Sequence, residues 1–361
     1  MHAVILAGGA GTRLRPLTYA RRKELVPLLN RPLLEYRLLN LKQHGVLDIV
    51  LACSQGMREV EEHFGDGAAL GVRMSYVYED RPLGSGRAVK AAARAAGASG
   101  TLVVCNGDIL TNIDLTGMIA RHRETGATLS LSLAAVDDPW TYGVVDVDAD
   151  LRIHHFVEKP PQGSEPSNLI NGGTWLWEPT MLDRIPDDET AVRDGFAERV
   201  LFPGIIADGL RAQGFTEDLW VDVGSPERYL RATQLLLART AEQAGAPVMV
   251  QDGAQIDPTA IVEGHVLIGR GTRIGARARI TGPTVIGHDT IVGADAVIDA
   301  SVIWEEARIG DGATIAGSIL GAYAGIGDRA SATDAVMGNG AEVEEDHHPE
   351  PGVRVMPNER I

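Results

Sequence analysis

Apolar and polar positions follow two different rhythms along this chain, and the change falls near residue 245. Before it, short apolar runs alternate with segments of helical period. "HAVILA" (2–7), "DIVLACS" (48–54), "MSYVYE" (74–79) and "TLVVCN" (101–106) predict strands. Between them, "PLLEYRLLNLKQHG" (32–45) puts Leu34, Leu38 and Leu41 on one helical face and stops at Gly45, a residue suited to the left-handed position after a helix. "SGRAVKAAARAAG" (85–97) is alanine-rich and also ends in glycine. Strand, helix, strand in repetition predicts an α/β fold, a mostly parallel sheet with helices on both faces. Ligands of such sheets bind beyond the carboxyl ends of the strands, so the loops after Ala7, Glu79 and Asn106 are expected to line one crevice.

Beyond residue 245 an aliphatic residue recurs every six positions, at Ile268, Ile274, Ile280, Ile286, Val292 and Ile298. The beat slips by one to Ile303, runs on through Ile309 and Ile315, slips again to Leu320 and continues to Ile326. Glycine follows directly at Gly269, Gly275, Gly287, Gly293, Gly310 and Gly327. A period of six fits neither an α-helix nor a single alternating strand. It is the mark of a parallel β-helix of hexapeptide turns, with the aliphatic residue pointing inward and small residues at the corners. A flexible glycine-rich linker has no reason to hold such a beat.

These rhythms give expected boundaries. A first domain spans 1–240, "AEQAGAPVMV" (241–250) is the linker, the β-helix covers 251–340, and 341–361 is an acidic, proline-containing tail. His347 and His348 lie in that tail, where solvent exposure is expected rather than metal binding.

Composition narrows the function. With 49 acidic against 33 basic residues the net charge is −16, which argues against nucleic acid as a partner. No apolar run reaches the length of a membrane helix, so no membrane partner is expected. Cys53 and Cys105 sit in apolar runs and are expected to be buried free thiols, which fits a reducing, cytoplasmic setting.

The first 32 residues hold the candidate chemistry. "LAGGAGTRLRPLTYARRKELVPLLNRP" (6–32) joins a glycine turn to a cluster of cations. It is not a P-loop, because counting from Gly8 the second glycine position is Arg13. Nor is it a dinucleotide fingerprint: Gly9 and Gly11 match, but Leu14 stands at the third glycine and no acid follows at the usual distance. The remaining reading uses Gly8, Gly9 and Gly11 to bring backbone N–H groups close to a nucleotide, with Arg13 and Lys23 neutralising its phosphates. Arg15, Arg21, Arg22 and Arg31 are expected to be solvent-exposed.

At this point the chain resembles the sugar-nucleotide pyrophosphorylases, nucleotidyltransferases that activate sugar 1-phosphates. The resemblance rests on "LAGGAGTRLRPLT" with "KELVP", then "LGSG" (83–86), "NGD" (106–108), "YGVV" (142–145), "FVEKP" (156–160), "NGG" (171–173) and "WVDVGSPERYL" (220–230), all in order. With the hexapeptide domain it is similar above all to mannose-1-phosphate guanylyltransferases. The resemblance implies a Rossmann-like, mixed, mostly parallel nucleotidyltransferase domain followed by a left-handed parallel β-helix. It implies a nucleotide site of Leu6, Ala7, Gly8, Gly9, Gly11, Thr12, Arg13, Lys23, Glu79, Pro82, Gly84, Asn106 and Asp108. It also implies a sugar-phosphate site of Tyr142, Gly143, Glu158, Lys159, Asn171 and Gly172.

The implied reaction is in-line: a sugar 1-phosphate oxygen attacks the α-phosphorus of an NTP, and pyrophosphate leaves. The attacking phosphate is already anionic, so alignment and charge neutralisation carry the rate. Arg13 offers a planar fork to triphosphate oxygens, and Lys23 a point charge near the α-phosphate. Asp108 and Asp222, acids in apolar runs, are the expected Mg²⁺ ligands. Glu158 is expected to accept from sugar hydroxyls and Lys159 to hold the sugar phosphate. Relatives often carry glutamine near the place of Glu79. A carboxylate there suits the adjacent N1–H and N2–H donors of guanine, which favours GTP. UTP, dTTP or ATP with glucose 1-phosphate or another sugar or cyclitol phosphate stands as the alternative.

Two other classes compete. An acyltransferase would use His265 or His288 in the repeats, but no long inserted loop completes an acyl-donor site there. A non-catalytic regulatory relative would lack charged site residues, whereas Arg13, Lys23, Asp108, Lys159 and Asp222 are all present. The flat faces and open end of a β-helix point to a homo-oligomer.

Overall fold

The computed structural model of the protein describes residues 1–9, 11–192 and 195–361. They divide into two compact units, and not at residue 240. The first holds Met1–Gly9 and Leu34–Val221. The second takes the segment ending at Leu33 together with Asp222–Ile361. The signature stretch is therefore split: Gly8 and Gly9 belong to the first unit, Arg13 and Lys23 to the second.

In the first unit β1 (His2–Ala7), α1 (Leu33–Gln43), β2 (Asp48–Ser54), α2 (Arg58–Phe64), β3 (Arg73–Glu79), α3 (Gly84–Ala95) and β4 (Leu102–Asn106) alternate as the pattern predicts. β1 is parallel to both β2 and β4, and β2 to β3. The order β3–β2–β1–β4 turns back beside β1, and such a switch point opens a crevice at the strand ends. β1 and β2 read as continuous apolar runs rather than alternating ones because they lie inside a sheet covered on both faces.

The sheet continues with β6 (Leu129–Ala135), β7 (Gly143–Val147), β8 (Ile153–Glu158), β9 (Leu169–Trp177) and β10 (Ala212–Thr216), after the short β5 (Ile109–Thr111) and α4 (Leu115–Thr125). β9 runs antiparallel to β4, β6 and β7, and β7 antiparallel to β8, which makes the nine-stranded sheet mixed. The core of this half is aromatic. Trp175 and Trp177 stack at 5.8 Å, and Phe202, in α5 (Phe202–Ala207), packs edge-on against both.

The second unit opens at the end of β11 (Trp220–Asp222) and runs through α6 (Pro226–Ala244). Ser225 caps α6 by accepting the Arg228 N–H at 3.4 Å, Pro226 takes the first turn, and Gly245 closes it with φ 64°. Helix α6 runs through the first part of the expected linker, and the strand Val248–Val250 already pairs with Val266–Ile268.

The left-handed parallel β-helix that follows has three faces. The inward positions read from the sequence, from Ile268 to Ile326, are all buried and form one core. A full coil is 18 residues in Ile268↔Ile286 and 17 in Ile286↔Ile303. The two slips of the beat are thus corners one residue shorter, before Ile303 and before Leu320. Those corners hold buried Ser301 and Ser318, stitched into a ladder: Ser318 N donates to Ser301 Oγ at 3.1 Å and Ala335 N to Ser318 Oγ at 3.0 Å. The buried hydroxyls are satisfied within their own coil, at Asp299 O and Ala316 O, and by the next coil.

Residues 341–361 are not a solvated tail. Glu342–Val343 pairs with Gly325–Ile326, and Arg354–Val355 with Val336–Met337. Val343 and Val355 are buried in the core. The acids at the surface of this last coil are paired, Asp346 and Glu345 with Arg329, so charge hid a further turn of the helix.

Candidate active site

In the first unit the nucleotide-loop residues gather at the switch point. Leu6 and Asn106 sit in register, and Gly107 N donates to Leu6 O at 3.0 Å. This brings Ala7, Gly8 and Gly9 beside Asn106 and Asp108. The space where a side chain would begin at Gly8 and Gly9 is open, as a loop approached by a ligand requires. Asp108 is half-buried just past the end of β4.

Glu79 ends β3 and folds over the start of α3. Its carboxylate accepts the Leu83 N–H at 3.1 Å, and its carbonyl accepts from Gln55 Nε2 at 3.2 Å. Burial raises its pKa above the usual range, opposed by the Leu83 hydrogen bond. Pro82 and Gly84 belong to the same turn.

The six sugar-phosphate candidates also come together. Gly143 and Glu158 are cross-strand partners, and Lys159 N donates to Tyr142 O at 2.9 Å. Lys159 holds φ 51°, a left-handed conformation that a lysine rarely adopts, and its ammonium lies 3.6 Å from Glu158. Tyr142 packs edge-on against Trp220 at 5.2 Å, and Trp220 Nε1 donates to Gly172 O at 2.9 Å. Asn171 Oδ1 accepts from both Gly173 N (3.0 Å) and Trp175 Nε1 (2.7 Å). That fixes the amide with Nδ2 as the donor end turned away from those two groups.

At Gly172 the missing side chain leaves room for groups of the protein itself. A Cβ on Gly172 would stand 2.1 Å from Glu217 Oε1 and 2.5 Å from Ser132 Oγ. The glycine makes room for a buried carboxyl. Glu217 accepts a short hydrogen bond from Thr111, while its Oε1 is buried with no hydrogen-bond partner among the described residues. Burial pushes its pKa up to about 7, against the Thr111 and Ser132 hydrogen bonds and the charge of Arg37. Arg37 is itself buried and donates to Thr174 Oγ1 at 3.0 Å.

The second unit holds a cationic cluster. Gly11 takes φ 60°, which lets the chain turn tightly into Thr12 and Arg13. Asp222 is nearly buried and faces three cations: Arg228 Nη1 at 2.9 Å, Arg13 Nη2 at 3.7 Å and Lys23 Nζ at 3.8 Å. Lys23 is buried and Arg13 is two-thirds exposed. Cations gathered in this way are the groups a polyphosphate needs, and a dry setting strengthens their field.

Residues 2–239 match the nucleotidyl transferase family, and residues 247–349 match the EIF2B subunit epsilon LbH domain. The chain belongs to the nucleotidyl transferase family. Among curated relatives of this nucleotidyl transferase, the mannose-1-phosphate guanylyltransferase of Mycobacterium tuberculosis is 35% identical over 74% of this chain and 75% of its own. The UTP–glucose-1-phosphate uridylyltransferase of Synechocystis is 33% identical over 85% of this chain and 84% of its own. A Bacillus anthracis chain described as a glucose-1-phosphate thymidylyltransferase, solved with sucrose, shares the fold with TM-score 0.59, at 23% identity over 65% of this chain and 95% of that one.

Sequence reasoning passed over three charged residues of this transferase that the structure sets beside the candidates. Arg228 was readable: "GSPER" announces a capped helix start, which turns its first-turn side chains back toward Asp222. Glu217 and Arg37 carried no local signal, since only folding buries them. No helix among the described residues is long and apolar enough to cross a membrane. Asp108 in the first unit and Asp222 in the second are each carboxylates, hard oxygen donors of the kind Mg²⁺ takes. Among the described residues no cluster of three His, Cys, Asp or Glu forms an all-protein metal site.

Proposed function

We propose that this nucleotidyl transferase moves a nucleotidyl group from GTP to mannose 1-phosphate, releasing pyrophosphate. The observation that carries the reading is the gathering of three cations at Asp222: Arg13 and Lys23 come from the signature loop, and Arg228 from α6. Arg13, largely exposed, is assigned to the triphosphate and the leaving pyrophosphate. Lys23, buried, is assigned to charge around the α-phosphate, where desolvation makes its field stronger. Asp108 and Asp222 are the proposed Mg²⁺ ligands, and the bound ion supplies charge withdrawal from the phosphates. Leu6, Ala7, Gly8, Gly9, Gly11, Thr12, Pro82, Gly84 and Asn106 are proposed to frame the nucleotide. Tyr142, Gly143, Glu158, Lys159, Asn171 and Gly172 are proposed to hold the sugar phosphate, with Asn171 Nδ2 as a donor and Glu158 as an acceptor.

GTP is favoured by Glu79. Its carboxylate is held at the loop by the Leu83 N–H and suits the paired donors of guanine. Mannose 1-phosphate is favoured by the Mycobacterium tuberculosis relative. A second reading, UTP with glucose 1-phosphate, is supported by the Synechocystis relative, whose match covers more of the chain. A cytoplasmic setting fits the buried free thiols of Cys53 and Cys105.

The test is pyrophosphate release with Mg²⁺ across the four NTPs and a panel of sugar 1-phosphates. GTP with mannose 1-phosphate is expected to turn over fastest. In Glu79→Gln the preference for GTP over UTP is expected to fall by roughly tenfold, the weight of one charge-assisted hydrogen bond. Faster turnover of UTP with glucose 1-phosphate favours the second reading, and no turnover with any pair sinks both.

A further inference from the structure

The segment Gly11–Leu33 carries Arg13 and Lys23 but has little regular structure to hold them. It consists of one-turn helices at Thr12–Leu14, Leu17–Tyr19 and Lys23–Leu25, then a two-residue strand pair. A loop of this kind keeps a side chain in place only if something rigid holds the loop.

The β-helix supplies that support. Arg21, expected at the surface from sequence, is about four-fifths buried along its side chain. Its guanidinium lies 4.9 Å above the Trp304 ring and donates to both oxygens of Glu305, Nη1 to Oε2 at 3.3 Å and Nη2 to Oε1 more closely. Trp304 Nε1 donates to Tyr229 Oη at 2.9 Å, and Tyr229 in turn donates to Pro27 O. Asn30 Nδ2 reaches Ile286 O at 3.1 Å, and Arg354 Nη1 reaches Arg15 O at 3.2 Å. The loop is thus fastened to the β-helix at both ends and in its middle.

Trp304 is also where the repeat breaks. The equivalent corner position is Gly269, Gly287, Gly321 and Gly338 in the coils around it, and Gln251 at the start of the helix, each donating its N–H to the next coil in the same way. The β-helix has no need of a tryptophan at a glycine corner. A bulky flat side chain followed by an acid is what a guanidinium needs, stacking on one face and a bidentate acceptor at its edge.

We propose that the β-helix is part of the catalytic apparatus: Trp304 and Glu305 clamp Arg21 and so keep Arg13 and Lys23 in position against Asp222. Arg21, Trp304 and Glu305 are positioning residues. The proposal rests on the reading that Arg13 and Lys23 act on the triphosphate.

The test compares the full-length protein with Glu305→Gln, Arg21→Lys and the charge-swapped pair Arg21→Glu/Glu305→Arg, measuring kinetics, melting temperature and hydrogen exchange of residues 11–30. Glu305→Gln and Arg21→Lys are expected to lower kcat roughly tenfold and raise the NTP KM, because misplacing a catalytic group by about 1 Å has effects of that size or more. The KM for sugar phosphate and the melting temperature stay put, while exchange in residues 11–30 rises. The swapped pair recovers part of the loss. Wild-type kcat, NTP KM and exchange in both single variants overturn the clamp. Arg13→Ala, assayed alongside, separates the two levels. If it is inactive while Glu305→Gln is normal, only the clamp fails. If Arg13→Ala turns over as wild type, the functional reading itself fails, and exchange in Glu305→Gln still reports whether the loop was held.

Discussion

Glu217 shows how a single residue takes its character from its surroundings. It is an ordinary exposed-looking acid in "TEDLW", yet folding places it under Gly172, against Ser132 and Thr111, where burial raises its pKa to about 7. The folded state therefore binds a proton more tightly than the unfolded chain does. Its contribution to stability is full below the ordinary carboxylate range and declines as pH rises from about 4.5 to about 7. Glu217→Gln keeps the shape and removes the charge. The variant is expected to gain stability over wild type at pH 8 by up to about 3 kcal/mol and to show little gain at pH 4.5. Urea denaturation at the two pH values measures this, and an equal gain at both would show that the carboxyl does not titrate in this window. Asp222 has the opposite surroundings, a carboxylate facing the cations Arg13, Lys23 and Arg228.

Elements were legible wherever the period was long and regular. β1 and β2 fall where the apolar runs predict them, and α1 ends within two residues of the expected stop. In the β-helix every inward position named from the six-residue beat is buried, because each coil repeats the same local demand on the chain. Ile298→Ala, at the middle of that stack and fully buried, is expected to cost about 2–5 kcal/mol. Thermal unfolding followed by circular dichroism measures the loss, and a shift within error would mean that neighbouring coils close over the cavity. The last coil was missed because "HHPEPG" (347–352) interrupts the beat between Val343 and Val355, so composition dominated the reading. For the loop 11–33 the local text suggests a chemistry but not the loop's attachments. Its glycines and arginines announce a phosphate site, and nothing in the local text announces Trp304 as a partner.

For the molecule as a whole, the β-helix offers faces for self-association. Ile261 and Val297 occupy outward positions of one face and Ile291 of another, all exposed. Outward apolar residues on flat parallel strands favour pairing with a second copy, here interspersed with Arg279, Arg273 and Arg308. A homo-oligomer is the expected state, and a monomer mass in light scattering would contradict it. Ile261→Lys with Val297→Lys is expected to weaken the association if that face carries it.

The sequence by itself determined the kinds of elements, the α/β order, the hexapeptide core and the repertoire of groups for phosphate chemistry. These depend on local period and residue type, which need no knowledge of distant neighbours. The tertiary structure alone decided which arginines are buried and paired, what Gly172 makes room for, why burial raises the pKa of Glu217, and that the loop 11–33 rests on the β-helix. Each depends on burial and charge from residues far away in the chain, as Arg21 and Glu305 are, 284 positions apart. Desolvation and ion pairing are set by what folding brings near, and no window of sequence contains both partners.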